Sequence, residues 1–160
     1  MSIAIRLLRP DELRLYLEIV ARAIRGLATS HYSPEAIDGW VPNITYESLQ
    51  ELAVNADEEI RLIAELDGEP AGIGALVVSK SELRACYVVP DAARRGCGAA
   101  LVAEIERLAK EHRLSRLELA GSLNSERFYT SLGYRVRERG DVVLRNGHRL
   151  ACVWMQKAIS

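Results

Sequence analysis

The chain has 160 residues, 49% of them hydrophobic and 27% charged, the make-up of one globular domain with its own core. Its formal net charge of -1 argues against charge-driven nucleic-acid binding, and its 6% of aromatic residues against a base-stacking platform. The 3 cysteines, Cys86, Cys97 and Cys152, are odd in number and lack metal-ligand spacing, so reduced thiols in a cytoplasm and no bound metal are expected.

Ile3 to Leu8 is short and β-rich and reads as a first strand; no signal-peptide pattern accompanies it. Pro10 and Asp11 suit a helix start, and Leu13, Leu17, Val20 and Ile24 then recur at helical spacing. Gly26 to Ser30 weakens or ends that helix. His31 and Tyr32 follow on a loop, and Ser33 with Pro34 forms an N-cap and first-turn pair for a helix reaching about Trp40. Beyond Pro42, Thr45 caps a further helix whose buried face is Leu49, Leu52 and Ala53. These two short helices make a wall for a substrate pocket, with His31, Tyr32 and Trp40 on it.

Glu59 to Leu66 alternates, with Ile60, Leu62, Ala64 and Leu66 on one face. Asp67-Gly68 is a hairpin signal, and Ala71 to Ser79 runs back as an antiparallel strand. The uncharged part of that run, Ala71 to Val78, is too short to cross a bilayer, so no membrane partner is expected. Lys80-Ser81 turns into a strand from Glu82 to Val89, which completes a meander.

Pro90 stops this strand, and Arg94, Arg95 and the Gly96-Cys97-Gly98 turn lead into a helix from Ala99 to His112. A strand opening onto a glycine turn and a helix start is a place for an anion. Unpaired N–H groups point out of the first turn and the helix dipole adds positive charge there. Gly96 and Gly98 permit close approach, and two arginines stand beside them, so a pyrophosphate-bearing ligand is expected. Cys97 reads as a small buried hydrophobe rather than a nucleophile. Arg116 to Ala120 is a strand parallel to the preceding one, Ser125 to Leu132 a short helix ending at Gly133, and the tail a hairpin. Its strands, Tyr134 to Arg145 and His148 to Lys157, are joined by Asn146-Gly147, a type I′ signal.

The stretch ELRACYVVPDAARRGCGAAL, combined with the later SLNSERFYTSLGY, resembles the GNAT family of acyl-CoA-dependent N-acetyltransferases across essentially the whole chain. The family's Q/R-x-x-G-x-G/A loop reads here from Ala93 to Gly98, with alanine where glutamine or arginine is preferred. The segment HYSPE with Trp40 is similar to a bacterial subgroup of that family whose substrates are mostly undefined. The resemblance implies a single α/β GNAT-like domain over 1–160. Its mixed, mostly antiparallel central sheet would carry helices on both faces and a V-shaped splay between the fourth and fifth strands.

It further implies acetyl-CoA as co-substrate, an amine acceptor on a small molecule or peptide, and by analogy a homodimer. Arg94, Arg95, Gly96, Cys97, Gly98 and Ala99 would hold the phosphates, and Asn124 and Phe128 would flank the cofactor arm. Val88 or Val89 would offer a main-chain N–H to the thioester carbonyl, and Tyr129 matches the family's general acid. For the base, Glu82 through a water or His31 stand as equal candidates, with Glu118 read as structural. Direct attack in a ternary complex is favoured over an acyl-enzyme. The rival readings are a dinucleotide-binding oxidoreductase, opposed by Leu101 at the third glycine position, and a non-catalytic acyl-CoA sensor on the same fold.

Overall fold

The computed structural model describes residues 1–159. Seven strands form one sheet in the order β1-β2-β3-β4-β5-β7-β6: β1 Ile3–Leu7, β2 Ile60–Leu66, β3 Glu69–Val77, β4 Glu82–Val88, β5 Arg116–Ser122, β6 Arg135–Val143 and β7 Arg149–Ala158. The helices are α1 Leu13–Leu27, α2 Pro34–Trp40, α3 Tyr46–Val54, α4 Cys97–Glu111 and α5 Glu126–Ser131. Every neighbouring pair of strands is antiparallel except β4 and β5, which run parallel.

That exception makes the site. β4 and β5 are in register only at Glu82 and Glu118, where Glu118 N–H also reaches Ser81 O at 2.8 Å. Beyond this point the strands diverge, so the expected splay is present. The sheet is covered on both faces. A side chain at Gly72 or Gly74 would meet Leu101 and Ile105 of α4, whereas Tyr87 faces the α1–α2 side beside Trp40 and Ile24.

Two-sided burial overrides the alternation read in β2. Ile63 is as buried as Leu62 and Ala64, because the strand is sandwiched and both of its faces see core. In α1 the buried positions are Tyr16, Leu17, Ile19, Ala23 and Ile24, while Leu13 and Val20 are only half-buried. Gly26 lies inside the helix, and Pro90 occupies the place where a Cβ would stand, so the position has no room for a side chain. Ala53 of α3 is exposed, leaving Leu49 and Leu52 to pack on the core.

α4 begins at Cys97, two residues before the expected start. At the tail, Asn146 lacks the positive φ a type I′ turn needs, and only Gly147 is left-handed, at φ 86°. The tip closes instead through Gly147 N–H to Leu144 O at 2.9 Å. The reason is tertiary. Asn146 Nδ2 donates to Glu35 O at 2.8 Å, and Arg145 donates to Asp38 O and Val41 O at 2.7 Å each, so the tip is shaped to clasp α2. Edge strand β6 is exposed nearly throughout, and its charges oppose pairing with another edge.

Candidate active site

A cleft of about 660 Å³ enters the splay, within the range of small-molecule sites. Its floor is the edge of β4 that faces away from β3. Val89 donates its N–H to Ala71 O at 2.9 Å, so along the alternating strand Val88 directs its own N–H to the opposite, open edge. Of the two valines expected to offer a donor, Val88 therefore has one free and Val89, buried, does not.

At the end of β4, Val89-Pro90-Asp91-Ala92 forms a 3₁₀ turn. Arg94 then takes a left-handed conformation at φ 62° and Gly96 another at φ 94°. Such alternation curls main-chain N–H groups into a concave nest. The first helical bond of α4 runs from Ala100 N–H to Gly96 O at 3.0 Å, so the N–H groups of Cys97, Gly98 and Ala99 have no acceptor within the helix. Arg94, Gly96, Gly98 and Ala99 line the cleft here. Arg95 is exposed and away from it, and the Cys97 side chain is turned into the core at 1% exposure.

On the far side stand Asn124, Phe128 and Tyr129, all lining the cleft. Phe128 packs edge-on against Tyr129 at 5.0 Å and also abuts Gly98, which binds α5 to the start of α4. Asn124 Oδ1 is buried and has no hydrogen-bond partner among the described residues, an acceptor with a desolvation cost that a ligand N–H would remove. Burial raises the Tyr129 hydroxyl well above its ordinary value, reinforced by Cys86, Tyr87 and Tyr134 around it. Burial likewise pushes the Cys86 thiol up to about 12, against a smaller lowering by Tyr129.

At the other end, His31 and Trp40 line the cleft, with Ser30 Oγ 2.9 Å from His31 Nδ1. Tyr32 does not line it. Its hydroxyl donates to Ala151 O at 2.6 Å and accepts from Leu123 N–H at 2.7 Å, so it bolts the α1–α2 loop to β7 and to the loop carrying Asn124. Its ring packs edge-on against Trp40 at 5.5 Å. Glu82 is not brought into the cleft either. It sits where β4 and β5 are still joined, and Arg84 holds it at 2.9 Å. A bulge at Arg84 breaks the strand alternation between Glu82 and the cleft-lining Cys86 and Val88.

The lining also includes Cys86, Arg84, Gly121 and Ser122 of the splay and Val142, Leu144, Leu150 and Cys152 of the hairpin. Once β5 was read as parallel to β4, its last residues could have been assigned to the gap. Nothing local marks the hairpin residues, since their place depends on the clasp with α2.

Residues 28–158 match the family model for the acetyltransferase (GNAT) domain. Among solved structures, the chain is similar to one from Rhodopseudomonas palustris described as "GCN5-Related N-acetyltransferase: Aminotransferase, Class-II". The TM-score is 0.89 at 27% identity, covering 99% of this chain and 96% of that one. Two more distant ones share the fold. The PaiA N-acetyltransferase of Thermoplasma acidophilum, in complex with coenzyme A, has TM-score 0.74 and 20% identity over 99% of each chain. A phosphinothricin acetyltransferase of Sinorhizobium meliloti, in complex with acetyl-CoA, has TM-score 0.70 and 17% identity over 100% of this chain and 90% of that one. No curated protein matches the chain in sequence. With the family model spanning most of its length and the parallel, splayed β4–β5 pair in place, the chain belongs to the GNAT family of acetyltransferases.

Proposed function

We propose that the chain moves an acetyl group from acetyl-CoA to a primary amine by direct attack in a ternary complex. One observation carries this reading: the cleft joins an N–H-rich helix start to a buried phenol along an unpaired strand edge. The residues fit acetyl-CoA. Arg94 and the N–H groups at Gly98 and Ala99 suit its phosphates, and the orphaned Asn124 Oδ1 suits an amide N–H of the pantetheine arm. The open edge of β4 would pair with that arm as an added strand.

When bound, acetyl-CoA supplies an acetyl group activated as a thioester. Val88 N–H would hold the carbonyl oxygen as negative charge grows on it. As the amine nitrogen bonds to the acetyl carbon, the carbon–sulfur bond breaks and Tyr129 gives its proton to the departing sulfur. The proton lost by the amine passes to His31 or to water, because Glu82 lies at the closed end of the splay.

The test is a thiol-release assay with mass spectrometry of the products. Acetyl-CoA should be consumed only when an amine is present, with a product heavier by one acetyl group. Stabilisation by CoA with no turnover across a broad set of amines would support a non-catalytic sensor instead.

A further inference from the structure

The cleft is chemically two-faced. Its cofactor half carries Arg94, free N–H groups, Asn124 and Tyr129. The other half is walled by Ile24 and Leu27 of α1, Trp40 at the end of α2, and Val142, Leu144 and Leu150 of the β6–β7 hairpin. The chain has 22 Asp and Glu residues, and among the described residues none of them lines the cleft.

Two arginines line the cleft, Arg94 in the cofactor half and Arg84 at the start of β4. Arg84 is held by three carboxylates, Asp57 at 2.6 Å, Glu82 at 2.9 Å and Glu59 at 3.1 Å. Outside the lining, Arg145, next to Leu144, donates to the main-chain oxygens of Asp38 and Val41, the Asp38 carboxylate lies 3.4 Å from Arg25, and Asp141 stands next to Val142, so charges of both signs flank this wall without entering it. The uncharged polar groups on this side are the Ser30–His31 pair, the Trp40 indole and the hydroxyl of Tyr87 beside it.

A polyamine or a lysine-rich peptide would bring a second ammonium to a partly desolvated wall that carries no carboxylate. An amino acid would bring a carboxylate to a wall whose arginine is already occupied. An aromatic or branched aliphatic body instead gains by removing its apolar surface from water. We infer that the acceptor is a monoamine on an apolar body, without a second charge; this rests on the acetyl-transfer reading above. The apolar wall seats the body, and the amine points back toward His31 and the Val88 edge.

The test compares 2-phenylethylamine, L-phenylalanine and spermidine, which present the same or similar reach with no second charge, a carboxylate or further ammonium groups. Rates are measured with saturating acetyl-CoA, and binding of each amine to the CoA-loaded protein is measured by calorimetry. 2-Phenylethylamine should lead both others by about 100-fold in kcat/KM and should bind most tightly. Leu144 is half-buried near the hairpin tip. Leu144→Glu, checked for unchanged melting, should raise spermidine relative to 2-phenylethylamine by at least about tenfold. The inference is overturned if spermidine or L-phenylalanine equals 2-phenylethylamine, if 2-phenylethylamine fails to bind, or if Leu144→Glu leaves the ratio unmoved. Loss of turnover with every amine, while CoA still binds and 2-phenylethylamine still binds more tightly than the other two, would fault the acetyl-transfer reading and uphold only the preference of this wall for a singly charged amine on an apolar body.

Discussion

A phenol can serve as an acid only while it holds its proton, and burial keeps Tyr129 protonated. Tyr129→Phe removes the proton but keeps the edge-on packing against Phe128 at 5.0 Å and Tyr134 at 5.7 Å. Turnover should fall by about one to three orders of magnitude with acetyl-CoA affinity nearly unchanged, read by steady-state kinetics and calorimetry. Unchanged turnover would remove Tyr129 from the mechanism. A second residue, Glu12, matters to stability and gave no sign in the sequence beyond a place near a helix start. Its carboxylate takes Arg6 at 2.9 and 2.8 Å and Arg9 N–H at 2.8 Å. The Arg6 hydrogen bonds hold it down at about 2, against an ordinary 4.5. Because the folded value is the lower one, the contribution is complete above pH 4.5 and is lost as the pH falls toward 2. Glu12→Gln should therefore cost about 2 kcal/mol at neutral pH. In urea unfolding that difference should vanish near pH 2, and its persistence there would assign the cost to packing.

Among the elements, the turn from β4 into α4 was the most legible, because its chemistry is local. Proline stops a strand, glycine permits the left-handed step at Gly96, and a helix start exposes its N–H groups wherever it occurs. What the sequence did not show is the second reason for Gly98. A Cβ there would stand 3.1 Å from Phe128 Cζ and 3.7 Å from Val88 Cγ2, so the missing side chain leaves room where α4, α5 and the open edge of β4 converge. Gly98→Val should weaken CoA binding by at least about 100-fold, as a β-branched group fills that space and crowds the phosphates. Ordinary CoA affinity in this variant would place the phosphates elsewhere. The tail hairpin is the contrary case. Asn146-Gly147 has the right composition for a tight turn, but its contacts with α2 select another geometry.

The cleft joins parts of the whole molecule that the chain itself keeps far apart. β4 and β5 touch at one register position, and beyond it the two halves of the sheet face each other across the splay. A ligand seated there stabilises the folded state by linkage: CoA at about 100 times its Kd should add about 2.7 kcal/mol. For a chain of this size that is about 5–10 °C in Tm, readable in a thermal melt. No shift would mean that the cleft does not take CoA.

The sequence by itself determined the elements, the glycine turn, the family resemblance and the candidacy of Asn124 and Tyr129, since each rests on neighbours in the chain or on a motif of fixed spacing. Tertiary structure alone decided which candidates meet. It drew Glu82 to the closed end of the splay, made Tyr32 a bolt rather than a pocket wall, occupied the Val89 N–H and brought an unmarked hairpin over α2. The physical reason is that strand pairing, two-sided burial and main-chain hydrogen bonds between distant segments leave no periodic or compositional trace at the residues they join.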